Sequence, residues 1–187
     1  MKKKIIIVSV LCCSLLLFSC IAYIHSASQK TVYPSASWVN HYDDVAEMIS
    51  ESDLIIHGTV AASTPEQRIN IVVTRQNIHI DKLYQSTGPV GDSIFLLQTG
   101  GVLGSTRTKP FPEAPLLEVG KSYLLFLELT EEGHYLIMGG YQGAGRIRAG
   151  RLDFTNVYGD AVSAALDGMN LTDAIALVEA HTAPSAS

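Results

Sequence analysis

Asp53 and His57 stand four residues apart, and His79 and Asp81 two apart. On an extended strand, where side chains alternate between faces, each pair shares one face. A carboxylate beside an imidazole is the beginning of acid–base chemistry, so a hydrolase using a His/Asp pair is one reading of these residues. Neither pair has a nucleophile beside it in sequence, and polar residues on the wet face of a strand make the same pattern. His57, His79 and His134 come from separate segments and can serve as zinc ligands only if their strands bring them together. No paired-ligand spacing accompanies them, so three surface histidines is the plainer account.

A second group of residues points to binding. Residues 100–115 run without apolar periodicity, longer than most structureless loops in a compact domain, which marks a functional or a mobile segment. Arg107 and Lys109 lie in it, followed by Phe111 between Pro110 and Pro112. Prolines stiffen a loop, and a proline-flanked aromatic is a natural anchor for a partner. The competing reading is a mobile loop with Phe111 folded back on the domain. Tyr141 and Arg146 join this group as further binding candidates. Tyr141 lies in the run Gly139-Gly140-Tyr141-Gln142-Gly143-Ala144-Gly145, just before Arg146, and this run resembles a phosphate loop superficially. Such loops feed a helix N-terminus, whereas here a strand-like Arg146-Ile147-Arg148 follows, so a tight connection with closely approaching backbones is expected. Cofactors expected from these motifs: none.

The elements that must position these residues begin beyond an export signal. Met1-Lys2-Lys3-Lys4 precedes an uncharged apolar run from Ile5 to Ile24. Basic residues before such a run hold that end in the cytoplasm, and about 20 residues is enough to span a bilayer as a helix. Residues 1–28 therefore read as a signal peptide or an N-terminal membrane anchor. Cleavage after Ser26-Ala27-Ser28, lipid attachment at Cys20 in Leu17-Phe18-Ser19-Cys20, and retention all remain open. Each places the rest of the chain outside the cytoplasm, bound to the cell membrane or secreted. All three cysteines (Cys12, Cys13 and Cys20) lie in this segment, so the exported part holds no disulfide. Without the three lysines, 13 basic residues become 10 against 18 acidic ones, and the formal charge of −5 becomes −8. Such a domain lacks the basic footprint of a nucleic-acid binder.

Residues 29–42 read as a spacer, residues 43–181 as one domain and 182–187 as a disordered tail. Asp44 caps a short helix with Val45, Met48 and Ile49 on one stripe. Leu54 to Val60 alternates as a strand. Ile69 to Tyr84 is a longer one whose apolar phase breaks, predicting a bulge or bend near residues 73–77. Ser93 to Thr99 is a third strand, and Tyr123 to Leu129 is apolar on both faces. Glu131-Glu132-Gly133 turns into Tyr135–Met138, a hairpin follows around Gly150, and a last helix begins at the Asn170 cap. This pattern predicts a mainly β domain, a small five- to six-stranded barrel with a short helix before it and a C-terminal helix. A two-sheet sandwich fits the periodicity as well.

The segments Ser52–Val60, Ile80–Tyr84, Gln98–Gly101, Leu116–Leu127 and Gly139–Gly143 resemble a group of uncharacterised exported bacterial proteins. That group looks like a distant relative of the oligonucleotide/oligosaccharide-binding (OB-fold) barrel of netrin-like modules and tissue inhibitors of metalloproteinases. The resemblance implies an OB-like barrel and raises protease inhibition. Those inhibitors place an N-terminal cysteine on the protease zinc, and no cysteine of the exported domain here matches it. The reading is a non-catalytic extracytoplasmic binding module for a protein or cell-envelope component. The alternatives are an inhibitor of an exported protease acting by loop insertion, and the hydrolase.

Overall fold

The computed structural model describes residues 30–34, 40–154 and 159–182. Cys20, the apolar run 5–24 and residues 183–187 lie outside the described residues, as do Gln29 and residues 35–39 of the expected spacer. Among the described residues, no helix is long and apolar enough to cross a membrane.

The chain forms β1 (Lys30–Val32), α1 (Val45–Glu51), β2 (Leu54–Arg68), β3 (Ile71–Ser86), β4 (Ser93–Thr99), β5 (Gly101–Leu103) and β6 (Thr106–Thr108). It continues through β7 (Ser122–Leu129), β8 (Tyr135–Ile137), β9 (Ala144–Arg148), β10 (Arg151–Asp153), α2 (Ala161–Leu166) and α3 (Leu171–Thr182). The large sheet has the order β10-β9-β7-β2-β3-β4-β8, and a further β7–β8 pairing closes five strands into a barrel. The sandwich alternative is thereby excluded. Closure removes the exposed edges that an open sheet would present to other chains.

β7 explains the architecture. Tyr123, Leu125 and Leu127 point into the barrel with Leu54, Ile56, Ile78 and Leu96. Leu124 and Phe126 point out to a second core with Met48, Ile49, Val162 and Val178 of the helices. A strand buried on both faces must be apolar on both, as its sequence is. Each such side chain withdrawn from water contributes about 1.5–3 kcal/mol before entropy is charged. α1 starts where expected, with the Asp44 carboxylate accepting from the Ala46 N–H at 2.6 Å.

Three expectations are corrected. The inner face of β3 runs unbroken through Val72, Thr74, Gln76 and Ile78, all buried, because two polar residues carry the phase where an apolar one was expected. The register shifts lie instead between Ile55/Ile56, His57/Gly58 and Val60/Ala62. Within residues 100–115, β5 and β6 form a hairpin, and β1 pairs in parallel with β6. Strands of three residues, held by backbone bonds to a distant segment, leave no periodicity to read. The same pairing makes Lys30–Val32 of the expected spacer a strand. α2, absent from the sequence reading, is capped by the Asp160 carboxylate, which accepts from the Ser163 N–H at 2.9 Å.

Candidate functional site: a cleft along the barrel seam

β4 and β8 run parallel and pair only at Leu96↔Tyr135. Beyond that point the strands diverge, and two cavities follow the seam. One, of about 210 Å³, is lined by Leu97, Thr99, Phe111, Glu128 and Leu136, with Asn40 at its rim. The other, of about 260 Å³, is lined by Glu113, Leu117, Tyr141, Arg146 and Arg148. Gln98, Ala114, Ile137 and Gly140 line both, so the cavities share a wall.

Ala114 belongs to a strap, residues 109–117, that passes over the seam and is pinned by two buried glutamines, Gln76 and Gln98. The Gln98 amide oxygen accepts from the Leu117 N–H at 2.8 Å and from the Gln76 amide at 3.2 Å. The Gln98 amide nitrogen donates to the Pro115 carbonyl at 3.1 Å, and that of Gln76 to the Leu117 carbonyl at 3.2 Å. Ser63 donates to the Gln76 oxygen. Buried amides persist only when satisfied. Here they supply the strap with the ladder bonds that a neighbouring strand would have given. Leu117, 7% exposed, plugs the barrel core beneath. At the other end Pro110 lies against Gly100, where an added Cβ would come within 2.9 Å of its ring.

The two lobes differ in how their charged groups are held: the first has Glu128 alone, the second two arginines among carboxylates. Burial pushes the Glu128 carboxyl up, and the Asp53 charge adds to the push. A raised folded value favours the protonated state, so this contribution to stability is present at acid pH and is lost as pH rises through the folded value. Glu128→Gln is therefore expected to raise the melting temperature at pH 7 and to leave it unchanged near pH 4. Equal melting temperatures at pH 7 would show that the carboxylate is not penalised. In the other lobe Arg146 is held by both oxygens of Glu118, at 2.7 and 3.3 Å, with its side chain only 19% exposed. Arg148 pairs with Asp153 at 2.8 Å. Each guanidinium there is paired with a carboxylate, the Arg146 pair being the more enclosed.

Of the sequence candidates, Phe111 lines one lobe, and Tyr141 and Arg146 the other. Arg107 and Lys109 lie on and just after β6, outside both. The run 139–145 is the tight connection expected: Gly139 and Gly140 have φ of 58° and 72°, and its last two residues already belong to β9. Glu128, Gln76 and Gln98 were missed. Ile94-Phe95-Leu96-Leu97-Gln98 keeps its inward phase into a glutamine, and a polar residue arriving in phase on a buried face was the available signal.

The histidines are not brought together. His57 Nε2 is 3.8 Å from Asp81 Oδ2, so the pairing crosses from β2 to β3. The Asp53 carboxylate accepts instead from the Leu129 N–H at 2.8 Å and the Thr87 hydroxyl at 3.2 Å. Thr59 donates to Asp81 at 2.6 Å and meets Ser122 at 2.9 Å, so Ser122 reaches the dyad only through a hydroxyl. His79 is exposed on β3 opposite Thr59. His134 sits by Glu132 at 4.0 Å and Arg68 at 3.5 Å. Among the described residues no group of three or more His, Cys, Asp or Glu side chains is arranged to hold a metal ion.

No family model matches the chain, and no curated protein is detectably similar to it.

Proposed function

We propose that the protein is a non-catalytic binding module working outside the cytoplasm, held at the membrane by residues 5–24 or by lipid, or else secreted. Its ligand is an exported protein or envelope component taken into the seam cleft. The observation that carries this reading is the pair of cavities sharing one wall, with an aromatic ring in each lobe and carboxylate-paired guanidinium groups in the second. An OB-like reading of the barrel draws on its strand order. Counting barrel strands alone, the first pairs with the second and fourth, and the third runs parallel to the fifth. Barrels of that kind bind through one face and the loops beside it.

The test is crosslinking and affinity capture by the full tagged chain in the envelope of an expressing bacterium, beside a Phe111→Ala, Tyr141→Ala, Arg146→Gln variant. Loss of the captured component by about tenfold or more is expected. Undiminished capture by the folded variant would sink the cleft assignment.

One observation favours the inhibitor as a second reading. Ile69, at the tip of the β2–β3 hairpin, is 95% exposed at φ 45°, a conformation in which a β-branched residue is strained. An apolar side chain held out on a narrow arm suits insertion into another protein's groove. A protease still captured by the cleft variant but lost on Ile69→Gly would favour that reading.

A further inference from the structure

The small sheet β1-β6-β5 carries a face that neither the barrel nor the cleft uses. Side chains alternate along its strands, and Thr108, 1% exposed, marks the face packed on the barrel. Thr31, Arg107 and Val102 are cross-strand neighbours on the opposite face. Tyr33 and Lys109 extend it one step further, with the Lys109 ammonium 5.0 Å from the Tyr33 ring. All five are exposed.

This face has the wrong charge for its domain. It carries Arg107 and Lys109, and residues 30–34 and 101–109 hold no acid, on a portion of the chain whose formal charge is −8. Arg68, Arg75, Arg146 and Arg148 each pair with a carboxylate, and Arg151 donates to the Gly168 carbonyl. Arg107 is the one arginine among the described residues with no such partner. The face is also apolar: Tyr33 and Val102 are 71% and 43% exposed. Cations set among an aromatic ring and aliphatic side chains are the composition of surfaces that rest on headgroups. Its position agrees. The apolar run ends at Ile24 and β1 begins at Lys30, so five intervening residues, at most about 20 Å of chain, separate this face from the end of the apolar run.

We infer that the Tyr33/Val102/Arg107/Lys109 face docks on anionic phospholipid headgroups and so fixes how the barrel stands on the membrane. This rests on the reading of the chain as membrane-held. The test places the full chain in lipid nanodiscs of phosphatidylcholine, alone or with phosphatidylglycerol, all with brominated acyl chains. The reporter is an indole introduced by Val102→Trp on a Trp38→Phe background. Quenching is expected in the anionic discs, weakened by salt, and absent when the reporter is moved to exposed Val119. Arg107→Gln with Lys109→Gln is expected to lower the docking equilibrium about 25-fold, near fivefold for each cation. A chain that travels with both discs but is never quenched overturns the docking and leaves the membrane tether standing. Equal quenching in the two discs overturns anionic recognition. A chain that ignores neutral discs yet binds anionic ones in low salt through these residues supports the face and overturns the tether. Failure to associate with either disc overturns both.

Discussion

Gly143→Ala is expected to lower the melting temperature by about 10 °C or more. Gly143 sits where three segments meet. Its carbonyl accepts from the Phe126 N–H at 2.8 Å, its N–H donates to the Met138 carbonyl at 3.0 Å, and the Met138 N–H donates to the Phe126 carbonyl at 3.0 Å. A Cβ at residue 143 would stand 2.5 Å from the Phe126 carbonyl oxygen and 3.1 Å from the Met138 nitrogen. These are backbone atoms, so nothing rotates out of the way. Forcing a methyl into a packed site costs about 1–3 kcal/mol. Weakening three backbone bonds adds about 0.5–1.5 kcal/mol for each. Against a total stability of about 5–15 kcal/mol this is a large fraction. Gly91→Ala, where a Cβ meets nothing within 4 Å, is the control. Thermal melts that leave the two variants alike would show that the junction relaxes.

Gln142→Leu is expected to cost about 3–5 kcal/mol through a different mechanism. The side chain is wholly buried and satisfies three groups. Its oxygen accepts from the Tyr42 N–H at 3.0 Å, and its nitrogen donates to the Tyr42 carbonyl at 2.8 Å and to Asp160 at 3.0 Å. Leucine fills the space and leaves all three without that partner. The loss has a pH signature. Burial alone would raise the Asp160 carboxyl, yet the Ser163 N–H and the Gln142 amide hold it below its ordinary value. The folded value thus lies below the unfolded one, so this stability is present above the unfolded value and lost as pH falls through the folded one. The gap between wild type and variant is expected to narrow below about pH 4. Melts from pH 7 to pH 3 that keep a constant gap would mean that Gln142 does not act through the Asp160 charge.

Much of this architecture was legible in the residues, for a physical reason. α1, β4, β7 and α3 bury a regular stripe, and burial is what hydrophobic periodicity reports. What escaped is held by other forces. β1, β5 and β6 are too short for alternation and exist through backbone pairing between segments far apart in sequence. The outer arm of β2, Ala61–Arg68, is largely exposed and contains Pro65, so nothing apolar marks it as strand. At the candidate site, Phe111, Tyr141 and Arg146 were visible as chemically suggestive types. Gln76 and Gln98 were not, because a glutamine that stands in for a strand looks like any polar residue until the strap is seen above it.

That clamp divides the chain into what must be kept and what can be traded. Pro115 and Leu117 are bound through main-chain groups, and Leu117 completes the barrel core. Residues 111–114 run between Pro110, which lies against Gly100, and the clamped Pro115, with Phe111 lining one lobe, Glu113 the other and Ala114 both. New sequences spliced there would inherit a finished barrel and a fixed pair of attachment points. If the cleft binds as proposed, substitutions along those four residues retune what it takes in, while the glutamine clamp on Pro115 and Leu117 keeps the barrel as it is.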